Sequence, residues 1–373
     1  MSTHKLTDLG SVKARKDKER EKEKVVLVTG GAGFIGTNLA HALASAGRRV
    51  RVLDNLSRCG VEKNLRWLQE THGDRISFEK GDVRDAAVVQ RVMAGAETVF
   101  HFAAQVAVTT SLVDPVHDFD VNARGTLNVL EAARAQSAPP AVLFTSTNKV
   151  YGGMDDIPLG LRGLRYEPED HLRQYGISEE RRLDFHSPYG CSKGTADQLV
   201  LDYARSYGLR TAVFRMSCIY GPHQFGTEDQ GWVAHFLIRA LDDQPITLYG
   251  DGMQVRDILF VEDLVQAFLQ AERHIGEISG QGFNMGGGPG NTISLLELID
   301  LIGQLHGQKP VVSFDGWRTG DQRWYVSNTR KIEAATGWRQ RVNVREGVSR
   351  LYNWLQEFRE VSEPRVAVGR HAS

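Results

Sequence analysis

Short apolar runs and longer amphipathic stretches alternate along most of the chain. VVLVT at 25–29 is short enough for a buried strand, and it passes through a glycine-rich turn into a helical pattern that reaches Ala46. RRVRVLD (48–54), ISFEKGD (76–82), TVFHFAA (98–104) and AVLFTST (141–147) repeat the strand pattern. Helical stretches lie between them, most clearly at 118–136, where Phe119, Val121, Leu127, Val129 and Leu130 recur at helical spacing. A helix at 188–206 and a strand at 211–217 continue the alternation. After Gly221 the elements shorten: helix 231–241, strands 246–249 and 255–260, helices 261–273 and 294–306, and a last helix near 344–358. Strands alternating with helices predict βαβ units and hence an α/β fold, a doubly wound parallel sheet followed by a smaller C-terminal α/β domain.

Two regions break the pattern. Residues 152–187 carry Gly152, Gly153, Pro158, Gly160 and Gly163 and predict a long irregular loop, a length that is usually functional or disordered. KARKDKEREKEK (13–24) has eleven charges in twelve residues and no core-forming side chain, so it predicts a solvated tail. The expected organisation is a charged tail (1–24), a nucleotide-binding domain with the catalytic residues (25–220), a mainly substrate-binding part (221–361) and a loose end (362–373).

Composition narrows the classes. Lys+Arg is 45 and Asp+Glu 46, a net charge of −1, which argues against bulk attraction to nucleic acid or an anionic membrane. No apolar stretch is long enough for a membrane span, and no secretory pattern is readable at the N-terminus. Cys59, Cys191 and Cys218 are scattered and form neither a disulfide framework nor a zinc pattern; His101, His186 and His223 show no ligand spacing, so no metal is expected. These features predict a cytoplasmic protein.

The turn after the first strand reads Gly30-Gly31-Ala32-Gly33-Phe34-Ile35-Gly36. Glycines between a strand and a helix allow a tight turn and close approach of a pyrophosphate to the helix N-terminus, the Rossmann arrangement. The next strand ends at Asp54, eighteen residues beyond Gly36, where a carboxylate accepts from adenosine ribose hydroxyls and repels a 2′-phosphate. NAD is therefore favoured over NADP; Arg58 weakens that preference without reversing it. Asp82, ending the third strand, is placed to meet the adenine edge.

SPYGCSK (187–193) sets Tyr189 and Lys193 four residues apart, on one face of a helix. A phenol is a poor base at neutral pH, but a nearby ammonium and a cationic nicotinamide ring both favour phenolate, so the Tyr189 pKa is expected to fall. Such a pair can take the proton of an alcohol undergoing hydride loss. Thr145, Ser146 and Thr147 end a strand about forty residues earlier, and their hydroxyls could share that proton.

With GGAGFIG, HFAAQ (101–105), TSTNKVYG (145–152), SPYGCSK, FRMSCIYGP (214–222) and GDGMQVRD (250–257) in this order, the chain resembles the extended short-chain dehydrogenase/reductase family, the NAD-dependent epimerases and dehydratases of nucleotide sugars. The match covers roughly 25–355. The resemblance implies Tyr189 as catalytic base, Lys193 as holder of the nicotinamide ribose and Thr147 as the third catalytic residue. It implies NAD contacts at Gly30, Gly33, Phe34, Ile35, Gly36, Asp54, Asn55, Arg58, Asp82, Val83, Ala103, Ala104, Gln105, Thr145, Tyr189 and Lys193. Substrate contacts are implied at Thr109, Thr110, Ser111, Asn148, Cys218, Gln224, Arg256 and Arg318, with Arg256 gripping the diphosphate and Arg318 or Arg323 adding a second contact. Cys218 stands where many relatives have an Asn that touches the substrate phosphate.

Dehydratases of the family carry an Asp-Glu pair after the threonine; here Asn148 and Lys149 stand there, which disfavours dehydration. TNKVYG, LDFHSPYGCSKG (183–194) and HQFGTEDQGWV (223–233) resemble most the branch that inverts C2 of CDP-hexoses. The expected substrate is a nucleotide-diphosphate sugar, CDP-linked, and the partner a second copy of the chain in a homodimer or homotetramer, through helices 118–136 and 188–206. A UDP-hexose 4-epimerase and a catalytically silent Rossmann binding module are the alternatives.

Overall fold

A computed structural model describes residues 24–169 and 171–362. The charged tail, but for Lys24, and all of the loose C-terminal end but Ser362 lie outside the described residues.

The first five strands are β1 (Val25–Thr29), β2 (Val50–Asp54), β3 (Ile76–Lys80), β4 (Ala96–His101) and β5 (Ala141–Thr147). A hairpin follows, β6 (Leu159–Arg162) and β7 (Arg165–Pro168), then β8 (Thr211–Met216), β9 (Cys218–Tyr220), β10 (Ile246–Tyr249) and β11 (Val255–Phe260). β12 (Gln281–Met285), β13 (Thr292–Ser294), β14 (Val312–Asp315) and β15 (Trp324–Tyr325) complete the set. Seven of these form one parallel sheet in the order β3-β2-β1-β4-β5-β8-β12. Every residue of β1 and β5 is buried, as expected for central strands covered on both faces. One face packs Leu39, Leu43, Val52, Phe100, Phe214 and Phe268 together; the other packs Leu27, Val89, Leu130, Phe144 and Val200. Strand order reverses between β1 and β4, so their carboxyl ends diverge and leave a crevice.

The sheet is the doubly wound one the sequence predicts, but the division at residue 220 is not a clean cut. β12 adds the outermost strand to the large sheet, while β9 leaves it and pairs with β11. The chain thus interleaves its two parts. Two shorter elements also differ. The 118–136 stretch is a helix Pro115–Phe119, a π-helical turn Asp120–Arg124 and a helix Gly125–Arg134. The 152–187 loop contains the β6–β7 hairpin and a short helix His171–Tyr175. Among the described residues no helix is long and apolar enough to cross a membrane.

Candidate active site

A cleft of about 780 Å³ opens at the carboxyl ends of β1, β2, β4 and β5. Its nucleotide end is built from the glycine turn. Gly30 has φ +67°, and a Cβ there would stand 2.7 Å from the Ala103 amide nitrogen of the neighbouring strand end. At Gly36 a Cβ would lie 2.3 Å from the Gly30 carbonyl oxygen, so the turn could not close on the helix Phe34–Ser45. Asp54 faces this turn: its carboxylate accepts from the amides of Ala32 (3.1 Å) and Leu56 (2.9 Å). Burial raises its pKa against those bonds. Burial likewise pushes the Arg58 guanidinium down, with the Asp54 charge opposing. Asp82 is held well below the usual carboxylate range by its bond from Arg84, and it also accepts from Asn55 at 3.0 Å.

The reactive end is formed by β5 and the helix Ser187–Tyr207. Thr147, Tyr189 and Lys193 are all buried and all line the cleft. Lys193 Nζ donates to the Thr145 carbonyl at 2.6 Å and lies 4.2 Å from the centre of the Phe144 ring. Burial pushes this ammonium down to about 7, with the charges of Asp197 and Asp118 opposing. Burial also drives Tyr189 up to about 12; a hydrogen bond with Thr147 opposes the rise and the Asp118 charge adds to it. In the protein alone desolvation thus outweighs the favourable neighbour, opposite in direction to the fall expected with the nicotinamide ring bound.

The remaining expected residues divide. Gly33, Phe34, Ile35, Asn55, Val83, Ala103, Ala104, Gln105, Thr110, Thr145, Cys218 and Gln224 line the cleft with those above. Thr109, Ser111, Asn148, Arg256 and Arg318 do not. Ser111 Oγ lies behind Tyr189 and accepts its backbone N–H at 3.2 Å. Asn148 donates to Gln322 Oε1 at 3.1 Å, and Lys149 to the Gly320 carbonyl at 2.9 Å, so both point into the C-terminal part. Arg256 is buried and donates to the Val255 carbonyl. Arg318 lies 3.6 Å from the centre of the Tyr249 ring and donates to the Glu228 carbonyl; Arg323 sits between Trp317 and Tyr166. Cys218 accepts from the Trp232 indole at 3.3 Å, and burial raises its thiol pKa against the Arg256 charge.

Sequence reasoning named the Ser146 hydroxyl and Gln224 but missed Asn64. Ser146 Oγ is buried there without a hydrogen-bond partner in the protein, as is Gln224 Oε1. Asn64 donates to the carbonyls of Ala32 and His223 and so ties the glycine turn to the substrate-end segment. Nothing local in the sequence marks Asn64. Buried polar atoms that lack partners, a turn that only glycine can form and a carboxylate at the second strand end suit a dinucleotide such as NAD.

The NAD dependent epimerase/dehydratase family model matches residues 26–286. CDP-paratose 2-epimerase of Salmonella typhi is 42% identical over 340 residues, covering 89% of this chain and 99% of that protein. The structure of UDP-glucose 4-epimerase from Thermotoga maritima, with UDP-glucose, superposes with a TM-score of 0.76 at 29% identity, covering 90% of this chain and 99% of that one. That of UDP-glucose 4-epimerase from Thermus thermophilus, complexed with NAD, gives 0.75 at 32% identity, with 89% and 99% covered.

Proposed function

The chain belongs to the NAD dependent epimerase/dehydratase family, with NAD as cofactor, and from that premise we propose that it is a nucleotide-sugar epimerase inverting C2 of a CDP-hexose, with CDP-paratose and CDP-tyvelose as the pair. One observation carries the choice of reaction. Elimination of water needs a carboxylate acid–base pair, and the positions that follow Thr147 are an amide and an ammonium turned toward Gln322 and Gly320. The carboxylates lining the cleft are Asp54 and Asp82 at the nucleotide end and Asp229 beyond Cys218.

Gly30, Gly33, Gly36, Asp54 and Lys193 would hold the cofactor, and Asn55, Arg58 and Asp82 would bound its adenosine end. NAD supplies the redox chemistry at the sugar carbon and a ring charge that favours the Tyr189 phenolate. Tyr189 takes the C2 hydroxyl proton, with the Thr147 hydroxyl as its hydrogen-bond partner. The sugar, flat at C2 as a 2-keto form, turns in the cleft, and Tyr189 returns the proton when the opposite face is reduced. Burial of Thr147, Tyr189 and Lys193 keeps water from the keto form.

The names of the two solved relatives favour a second reading, a UDP-hexose 4-epimerase, because the same pair serves either carbon. Incubating the protein separately with CDP-paratose and UDP-glucose, with products read by NMR, separates them. Inversion at C2 of the CDP-sugar supports the proposal; interconversion of glucose and galactose forms supports the alternative. No turnover with NAD bound would leave a silent binding module.

The enzyme works in the cytoplasm, where its three free cysteines stay reduced. The proposed partner is a second copy, in a homodimer or homotetramer through helices 118–136 and 188–206, with the exposed Val113, Val116 and Phe119 at the edge of that contact.

A further inference from the structure

Beneath the reactive pair lies a carboxylate that the chemistry above does not use. Asp118, on the helix Pro115–Phe119, is fully buried. One oxygen accepts from Gln105 Nε2 at 2.8 Å and Asn122 Nδ2 at 3.3 Å, and the other from the Ser192 hydroxyl. All three donors are neutral. A buried carboxylate without a hydrogen-bonded cation is costly unless a positive charge lies near.

The groups that face the pair identify that charge. The Lys193 ammonium feels the charges of Asp197, on its own helix, and of Asp118, on the helix Pro115–Phe119, and its own charge acts on His101 of β4. Asp197 is engaged by Arg215, which donates to both its oxygens at 2.9 and 3.0 Å. His101 is neutral, held between Thr29 and Thr126 and pushed down to about 3 by burial. Tyr189 is hydrogen-bonded with Thr147 and feels the Asp118 charge. Burial raises the Asp118 pKa, against its bonds from Ser192 and Gln105 and the charges of Lys193 and His117; among the described residues Asp118 forms no close ion pair.

The geometry also links Asp118 to two walls of the site. Ser192 lies between Tyr189 and Lys193 on one helix, and Gln105 lines the cleft wall after β4. We infer that Asp118 is a positioning residue of the reaction: its carboxylate is the counter-charge of Lys193, and its bonds to Ser192 and Gln105 hold the helix of Tyr189 and Lys193 against the cleft wall. Removing the charge makes both the Lys193 ammonium and the Tyr189 phenol more acidic, because a negative neighbour stabilises the protonated form of each.

The test compares the full chain, with NAD added, with Asp118→Asn and Asp118→Ser, each of which keeps hydrogen-bonding capacity without charge. With [ε-13C]lysine labelling and Lys193→Arg to assign the signal, the Lys193 titration midpoint falls by about one pH unit in both variants. The kinetic arm rests on the epimerase reading. With the nucleotide sugar that the wild type turns over, kcat falls about tenfold, KM stays within about threefold, and both limbs of the kcat–pH profile move to lower pH. An unchanged midpoint in a folded variant overturns the proposal, as does a profile that is only scaled down. Loss of folding in both variants also overturns it, since Asp118 would then be a structural residue. A wild type without turnover defeats the epimerase reading alone, and the lysine titration still decides the role of Asp118.

Discussion

Asn148 and Gln322 join the catalytic turn to the C-terminal part of the chain. The Asn148 amide donates to Gln322 Oε1 at 3.1 Å, and Gln322 Nε2 donates onward to the Gly152 carbonyl at 2.7 Å. Gln322 is fully buried, so these bonds have no water to replace them. Gln322→Ala leaves two buried polar groups unpaired and is expected to cost about 2 kcal/mol. Denaturant unfolding measures it; a loss near zero would show that the pair does not hold the two parts together.

Tyr189→Phe removes the phenolic oxygen and little volume from a buried site. On the proposed mechanism kcat falls by about 10²–10⁴, the range for loss of a general acid–base group. NAD affinity, measured by calorimetry, changes little. Wild-type turnover would remove Tyr189 as the proton carrier.

Lys193 gives a pH signature. Its folded value of about 7 lies below the ordinary lysine value of 10.5. Below about 7 both folded and unfolded chains carry the ammonium, and the cost of burying it is present in full. Between about 7 and 10.5 the unfolded chain binds the extra proton, so this residue makes stability rise with pH. In Lys193→Met that contribution disappears, and the difference in unfolding free energy between variant and wild type narrows as pH rises through this window. A difference independent of pH would mean that Lys193 is not desolvated as described.

The pair Arg215–Asp197 is buried beneath the same helix, with bonds of 2.9 and 3.0 Å. Breaking it by Asp197→Ala strands a buried guanidinium and is expected to cost about 3–5 kcal/mol. Chemical denaturation checks this, and a loss below about 1 kcal/mol would contradict it.

Val116 is 70% exposed on the helix that buries Asp118 on its other side. If the proposed homodimer forms through this face, Val116→Asp converts it to a monomer in sedimentation velocity. A variant that sediments like a wild-type dimer would move the interface elsewhere.

Strands are legible in sequence where a short β-rich run stands between turns: β1 and β5 of the central sheet, and β10 and β11 of the C-terminal part, begin and end where the pattern does. β12 and β15 are less legible, since QGFNM and WY carry no period of their own and are fixed by distant neighbours. The π-helical turn at Asp120–Arg124 shifts the helical phase without changing composition, so 118–136 reads as one helix. At the site, the glycine turn, Asp54, Tyr189 and Lys193 are legible because their spacing carries the chemistry. The pKa of Tyr189 is not, because desolvation depends on what packs over the ring. Asp118 is equally silent in sequence, since its partners Gln105 and Ser192 are 13 and 74 residues away.

The most direct measurement uses a CDP-hexose deuterated at C2, incubated with the protein and NAD in ordinary water, with the product read by NMR. The account predicts inversion at C2 with the deuterium retained, because oxidation and reduction occur at one carbon inside one buried site. Inversion with deuterium washed out would contradict hydride return, and an unchanged C2 would contradict the epimerase assignment itself.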